Sequence, residues 1–91
     1  MRRQILIAAA ELLRDFARAK TPAPSVVPTS DGSVQLEWHT RGIDLEVRWL
    51  SPVRVHIYLD DARHAFNSLD DELLYDFQPL QRAIRALTAR N

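Results

Sequence analysis

Apolar side chains recur every three to four residues near the beginning of the chain. Ile5, Ala9 and Leu12 belong to this stripe, and charged residues lie between its members. This period is typical of an amphipathic helix that buries one face. We therefore predict a helix over residues 2–19, which ends before Pro22.

A proline-rich segment follows from Thr21 to Ser30. Proline fixes its own φ angle and favours extended backbone in the residue before it. We predict a stiff, polyproline-like strap that carries the chain across a sheet. A ligand for an SH3-type domain is the alternative interpretation, but Pro24 and Pro28 have the spacing PxxxP instead of PxxP.

Apolar and polar positions alternate in residues 33–40, 43–50 and 53–60. A period of two gives each run one buried face, as in an antiparallel sheet. Arg41 and Gly42 can form a two-residue turn between the first two runs. The pattern predicts a three-stranded antiparallel β-meander. Its buried face would consist of Val34, Leu36, Trp38, Leu45, Val47, Trp49, Val55 and Ile57.

The second turn decides which polar residues face one another. Because opposed residues project to the same side, this turn needs an odd number of residues or a β-bulge. The simplest choice is Leu50-Ser51-Pro52, which places Trp49 opposite Val53. The polar face would then contain these pairs: Glu37 with Glu46, Glu46 with His56, Arg48 with Arg54, and Asp44 with both His39 and Tyr58.

An acidic connector leads to a second helical pattern. Apolar residues from Leu73 to Leu87 are spaced by four, three, four and three positions. Ser68 is the predicted N-cap, because acidic residues fill the turn that follows it. Pro79 interrupts this pattern, so we expect either a kink near Tyr75 or a break with Asp76 as a new N-cap.

These elements predict an α+β fold with an N-terminal helix, a proline-rich strap, a three-stranded meander and a C-terminal helix, both helices lying on one sheet face. Residues 1–91 are expected to form a single domain, since 46% of the chain is apolar. The absence of cysteine excludes disulfide bonds and thiol chemistry. The longest apolar stretch, residues 5–10, is too short to cross a bilayer. We expect a cytoplasmic protein, and a homodimer that covers the sheet edges.

The formal net charge of zero hides an uneven distribution. Residues 1–20 carry +3, residues 21–59 carry −1, residues 60–78 carry −5, and residues 79–91 carry +3. The basic ends suggest nucleic-acid binding as an alternative function, although the pI near 6.8 argues against a dedicated binder. The phosphate contacts would come from Arg2, Arg3, Arg14, Arg18, Arg82 and Arg85.

Candidate catalytic groups are few. Glu37, Glu46 and His56 would form a row able in principle to hold a divalent cation or transfer protons, with further polar side chains nearby. No HxH, HExxH or DxD spacing accompanies them, and the chain has no GxSxG motif. We therefore predict that the protein is not an enzyme and has no catalytic residue, metal ligand or cofactor.

Like charges that face each other across the sheet suggest a different role. Glu37 opposite Glu46, and Arg48 opposite Arg54, would repel directly. A partner of complementary charge would relieve both repulsions. We predict a protein-binding surface made of Glu37, Glu46, Arg48, Leu50, Arg54, His56 and Tyr58.

The proline-rich segment and first strand carry a resemblance. Residues 24–38 read Pro-Ser-Val-Val-Pro-Thr-Ser-Asp-Gly-Ser-Val-Gln-Leu-Glu-Trp. This run resembles the Pro-x-Val-x-Pro-Thr-x-Asp-Gly-x-Val-x-Leu-Glu-Trp core of a group of small uncharacterised bacterial proteins, and the similarity covers about residues 5–60. The second turn departs from the Pro-Asp-Gly type that the group usually has. The resemblance implies a bacterial origin and a helix, strap and meander, and it brings no catalytic residues.

Proteins of this size and type are often partners in two-gene cassettes. Our first functional hypothesis is therefore a non-catalytic protein-binding or regulatory protein, such as an antitoxin, an immunity protein or an accessory subunit. A nucleic-acid-binding regulator that uses the arginine-rich helices is the alternative. The analogy does not identify the partner, because fold alone does not fix function.

Overall fold

The protein has two helices and one antiparallel sheet of five strands, so the α+β class is confirmed. The computed structural model describes residues 3–90. The elements are α1 (Arg3–Phe16), β1 (Ser25–Pro28), β2 (Val34–Thr40), β3 (Ile43–Ser51), β4 (Arg54–Asp61), β5 (Leu69–Leu74) and α2 (Gln78–Ala89). Their order in the sheet is β1-β2-β3-β4-β5, which makes each strand pair with its neighbours along the chain. The prediction of a three-stranded meander is therefore wrong, because its three strands form the middle of a five-stranded sheet.

Part of the predicted strap is the edge strand β1. Ser25 lies opposite Glu37 and Pro28 lies opposite Val34, in antiparallel register with β2. An edge strand tolerates proline because one side of its backbone needs no partner. The prediction of a polyproline-like strap is therefore wrong for β1. The extended backbone that proline favours is compatible with both a strap and a strand. This segment forms a strand because it pairs with the otherwise free edge of β2.

The predicted start of the second helix is also wrong. Residues 69–74 form β5, which pairs with β4 so that Leu69 lies opposite Leu59 and Leu73 lies opposite Val55. A spacing of four residues puts two leucines on one side of a helix and equally on one side of a strand. Pairing with β4 satisfies backbone groups that would otherwise remain at a free edge. Ser68 is consequently not an N-cap.

Helix α2 begins after the break that was one of the two alternatives at Pro79. Tyr75 directly follows β5 and has a φ of 64°, so no helix passes through it. Pro79 lies in the first turn of α2, where its missing N–H has no intrahelical partner to lose. The expected N-cap, Asp76, is wrong by one residue, because Phe77 occupies that position. The side chain of Asp76 accepts a hydrogen bond of 3.0 Å from the backbone N–H of Gln78.

Helix α1 is shorter than predicted and ends at Phe16, while Arg2 lies outside the described residues. Both helices bury their apolar stripes in one core with the sheet, as expected. The eight positions predicted for the buried face are all buried, and Ile43, Leu59 and Leu73 join them. Within this core, the indole N–H of Trp38 donates to the carbonyl of Pro22 at 2.8 Å.

A buried ion pair fastens the end of α2 to the sheet. Asp61, at the end of β4, is 2% exposed and accepts hydrogen bonds from Arg90 at 2.7 and 2.9 Å. The N–H groups of Arg63, Ala65 and Phe66 also donate to this carboxylate. The hydrogen bonds from Arg90 hold the pKa of Asp61 well below its usual range. The carboxylate of Asp61 thus holds both the loop after β4 and Arg90, the residue that directly follows α2.

Neither helix described between residues 3 and 90 is long and apolar enough to cross a membrane.

Candidate protein-binding face of the sheet

The helices cover one side of the sheet, and no described element covers the other. We call this second side the open face. Because successive residues of a strand point to opposite sides, its members follow from the register. They are Ser25, Val27, Gln35, Glu37, His39, Asp44, Glu46, Arg48, Arg54, His56, Tyr58, Asp60, Asp70, Glu72 and Leu74, and Leu50 of the irregular segment of β3 lines the same face.

The register between β2 and β3 is the predicted one. Glu37 lies opposite Glu46, and His39 lies opposite Asp44. The turn that sets this register has φ angles of 56° at Arg41 and 77° at Gly42, as a type I′ hairpin turn requires. The repulsion expected between the two glutamates is therefore present in the fold.

The register between β3 and β4 differs from the three-residue-turn prediction by two residues. A β-bulge between Trp49 and Ser51 takes up the extra residue, so Trp49 lies opposite Val55 instead of Val53. A shift by two keeps every side chain on its predicted face but changes its neighbour. The following predicted pairs are therefore wrong: Glu46 with His56, Arg48 with Arg54, and Asp44 with Tyr58. The observed pairs are Glu46 with Tyr58, Arg48 with His56, Asp44 with Asp60, and Ser51 with Arg54.

Each arginine of the open face has a carboxylate partner. Arg48 donates to Asp31 at 2.6 Å and to the hydroxyl of Ser33 at 3.1 Å. Arg54 forms an ion pair with Glu72 of β5. The predicted repulsion between the arginines does not occur, because the bulge separates them.

The turn before β2 holds the carboxylate of Asp31 in place. Its carboxylate accepts hydrogen bonds from Thr29, from the backbone N–H of Ser33 and from the Ser33 hydroxyl. The hydrogen bonds from Thr29 and Ser33, with the charge of Arg48, hold the pKa of Asp31 well below its usual range. This turn draws Arg48 toward the β1 side of the open face.

The glutamate pair has no such arginine. Glu37 bonds to Nε2 of His39 at 2.9 Å, and Asp44 bonds to Nδ1 of the same ring at 2.8 Å. These hydrogen bonds raise the pKa of His39, because both carboxylates stabilise the imidazolium. Glu46 accepts a hydrogen bond of 3.1 Å from the amide of Gln35. Among the described residues, Glu46 forms no ion pair.

A cleft of about 540 Å³ opens beside this pair on the open face. Five of the seven residues predicted to bind a partner line the cleft: Glu46, Arg48, Leu50, His56 and Tyr58. Glu37 adjoins it opposite Glu46, whereas Arg54 lies at the start of β4 beside Glu72. The structure thus brings six of the seven together.

Two lining residues were missed in the sequence, Gln35 and Asp70. Gln35 has the parity of the open face, so its position in the alternating pattern could have identified it. Asp70 bonds to Nε2 of His56 at 2.6 Å. No local signal could have placed Asp70 there, because its strand looked like the start of a helix.

Charge is strongly unbalanced on the open face. It holds the carboxylates of Glu37, Asp44, Glu46, Asp60, Asp70 and Glu72. Against these six stand two guanidinium groups, both already in ion pairs with carboxylates. Tyr58, 39% exposed, lies between Glu46 and Asp70 in one row across the strands. The face can therefore attract a cation and stack it on an aromatic ring.

The arginines considered for nucleic-acid binding lie in the helix layer or beside it. Arg3, Arg14, Arg18, Arg82 and Arg85 are exposed, and Arg2 lies outside the described residues. Arg14 approaches Asp15 at 3.5 Å, and Arg18 donates to the carbonyls of Asp15 and Ala17. Arg82 borders a second, more apolar cavity of about 360 Å³ between α2 and the segment before β5.

One group of side chains on the open face has the composition of a metal site. Ligand atoms of Glu37, His39 and Glu46 all lie within 4.8 Å of one another.

Comparison of the chain with protein-family models, with curated proteins and with solved structures finds no match. The chemistry of the open face is therefore the basis for assigning a function to this protein.

Proposed function

We propose that this protein is a non-catalytic binding module that docks a basic segment of another protein on its open face. Antitoxins, immunity proteins and accessory subunits are the classes that such a module fits. The observation that carries the proposal is the excess of six carboxylates over two paired arginines on the open face, where Glu46 and Asp70 line one cleft. Electrostatic complementarity of this kind accelerates encounter and selects basic partners.

The cleft also offers contacts that would hold a basic side chain after encounter. Tyr58 presents an exposed ring between two carboxylates, and Leu50 lines the same cleft. Aromatic residues and arginine dominate the energetic centres of protein interfaces. A partner arginine stacked on Tyr58 would reach Glu46 on one side and Asp70 on the other.

The direct test uses a fluorescein-labelled hexa-arginine peptide as the probe and a hexa-glutamate peptide as the control ligand. Glu46→Arg places a positive charge in the cleft, and Glu11→Arg makes the same charge change on the exposed surface of α1. We expect Glu46→Arg to weaken peptide binding at least tenfold in fluorescence anisotropy. Glu11→Arg should change it less than twofold, and added salt should weaken binding of the native chain.

Two results would contradict the proposal. Equal losses from Glu46→Arg and Glu11→Arg would mean that only net charge matters. Equal binding of the hexa-glutamate peptide would mean that the open face does not select cations. A partner captured from the native host would then have to depend on some other surface.

A second candidate function is nucleic-acid binding through the helix layer, because five described arginines are exposed there or just beside it. Its test is an electrophoretic mobility shift with random-sequence duplex DNA and the variant Arg82→Glu/Arg85→Glu. A shift that the double variant abolishes, with a steep dependence on salt, would favour this candidate. The open-face proposal expects no shift at physiological salt.

We also propose that the protein acts in the cytoplasm as a homodimer. The support is that the edge strands leave apolar side chains exposed, Val26 by 54% on β1 and Leu74 by 58% on β5. A second copy would cover an edge of this kind. Light scattering of the native chain and of Leu74→Lys and Val26→Lys would show a dimer that one of the two variants dissociates.

A further inference from the structure

The group formed by Glu37, His39 and Glu46 combines two carboxylates with one imidazole. Their ligand atoms lie within 4.8 Å of one another on neighbouring strands. An ion held at Zn²⁺ distances needs ligand atoms about 3.4 Å apart, so the ligand atoms must approach one another by up to about 1.4 Å. Glutamate side chains supply such movements through torsions about their single bonds. No spacing motif marks this group, because Glu46 comes from a different strand.

A layer of outer contacts already orients these ligands. Asp44 bonds to Nδ1 of His39 at 2.8 Å, which leaves Nε2 directed toward Glu37 at 2.9 Å. In the carboxylate–histidine–metal arrangement, one ring nitrogen is fixed by a carboxylate and the other binds the ion, so here the ion would replace the hydrogen bond between Nε2 and Glu37. Gln35 fixes Glu46 in the same way through its amide, at 3.1 Å.

Electrostatics favours a cation at this position. Glu37 and Glu46 are directly opposed across β2 and β3, where like charges repel. The Glu37 side chain is only 22% exposed, so water screens its charge incompletely. Arg48, two residues after Glu46 on the same face, is engaged by Asp31 and Ser33 instead. Within residues 3–90, the only ion-pair partner of these glutamates is His39, which bonds to Glu37.

We propose that Glu37, His39 and Glu46 bind one Zn²⁺ ion, with Asp44 and Gln35 as positioning residues. Imidazole is a ligand that zinc accepts readily, whereas Mg²⁺ and Ca²⁺ prefer sites made entirely of oxygen. Three protein ligands leave a fourth position open for water. The site goes beyond the proposed docking of a basic segment, since it needs no partner protein.

The test is isothermal titration calorimetry of the untagged, EDTA-dialysed chain with ZnCl₂, and with MgCl₂ as a comparison ion. We expect one Zn²⁺ per chain with a dissociation constant in the micromolar range and no measurable Mg²⁺ binding. His39→Gln and Glu46→Gln should each weaken Zn²⁺ binding at least tenfold. Asp44→Asn should weaken it about 10–100-fold, as loss of an outer-shell partner does.

His56→Gln is the matched control, because His56 is also an exposed histidine of the open face bonded to a carboxylate, Asp70. This variant should bind Zn²⁺ like the native chain. Far-UV circular dichroism would show that each variant is folded, and the ¹H–¹⁵N spectrum of the His39 ring would report coordination at Nε2 independently of the binding heat.

Three outcomes would overturn the proposal. They are a Zn²⁺ dissociation constant above about 1 mM, equal losses from His56→Gln and His39→Gln, and Mg²⁺ binding as tight as Zn²⁺ binding. Because the probe is the metal alone, failure here would leave the peptide-binding test of the open face unaffected.

Discussion

The two tryptophans of the core differ in one hydrogen bond, and that difference predicts unequal effects of the same substitution. Trp38 and Trp49 are 2% and 1% exposed. The Nε1 of Trp38 donates to the carbonyl of Pro22, whereas the Nε1 of Trp49 has no hydrogen-bond partner among the described residues. Both side chains belong to the same apolar cluster on the sheet.

Replacing either indole by phenylalanine removes similar volume, so the packing costs of the two variants largely cancel. Trp38→Phe also loses a hydrogen bond worth about 1 kcal/mol net. Trp49→Phe removes a buried, unsatisfied donor, whose desolvation costs about 1–3 kcal/mol in the folded state. We therefore expect Trp38→Phe to be less stable than Trp49→Phe by about 2–4 kcal/mol, the sum of these two effects.

Urea unfolding followed by far-UV circular dichroism measures the difference in unfolding free energy. Each variant keeps one tryptophan, so its fluorescence gives a second, parallel record of unfolding. The melting temperatures should differ by at least about 8 °C for a domain of this size. Equal unfolding free energies, or a less stable Trp49→Phe, would refute the reasoning. Such a result would mean that the Trp49 indole N–H is satisfied in the folded protein.

Three further predictions concern the turns and the buried ion pair. Asp61→Asn should lower the melting temperature by several degrees because it breaks the pair with Arg90, while Asp60→Asn, next to it on the open face, should change it little; thermal unfolding checks both. Asp31 and Asp61 have lowered pKa values when folded, so the unfolded chain binds more protons in acid. The unfolding free energy should therefore fall as the pH drops below about 5. For Asp61→Asn, urea titrations at several pH values should show a weaker dependence of the unfolding free energy on pH. Gly42→Ala should cost about 1 kcal/mol in urea unfolding, because the φ of 77° is strained for alanine and its Cβ would lie 3.2 Å from Nε of Arg63. An unchanged midpoint for Gly42→Ala would mean that the turn relaxes without cost.

Local sequence patterns correctly predicted those parts of the fold in which a residue's environment depends on its near neighbours in the chain. Alternation in residues 33–60 predicted the three central strands and their buried face. The two-residue turn at Arg41 and Gly42 then fixed the register of β2 against β3, and with it the opposition of Glu37 and Glu46. Part of the open face was therefore predictable.

The rest of the open face depends on contacts between distant segments. The bulge at residues 49–51 shifted β4 by two positions, which keeps parity and therefore leaves no trace in the alternating pattern. Asp70 reached the cleft only because residues 69–74 pair with the free edge of β4. The ion pair between Asp61 and Arg90 joins residues 29 positions apart, and no spacing rule predicts it.

The sequence by itself thus determined the α+β class, the core face of the central strands and one of the four strand registers, because these follow from short-range periodicity and turn geometry. Tertiary structure decided that both proline-rich and acidic segments are edge strands, and which charges meet on the open face. The physical reason is that a strand edge offers backbone hydrogen bonds to any extended segment that reaches it, whatever the local propensity of that segment.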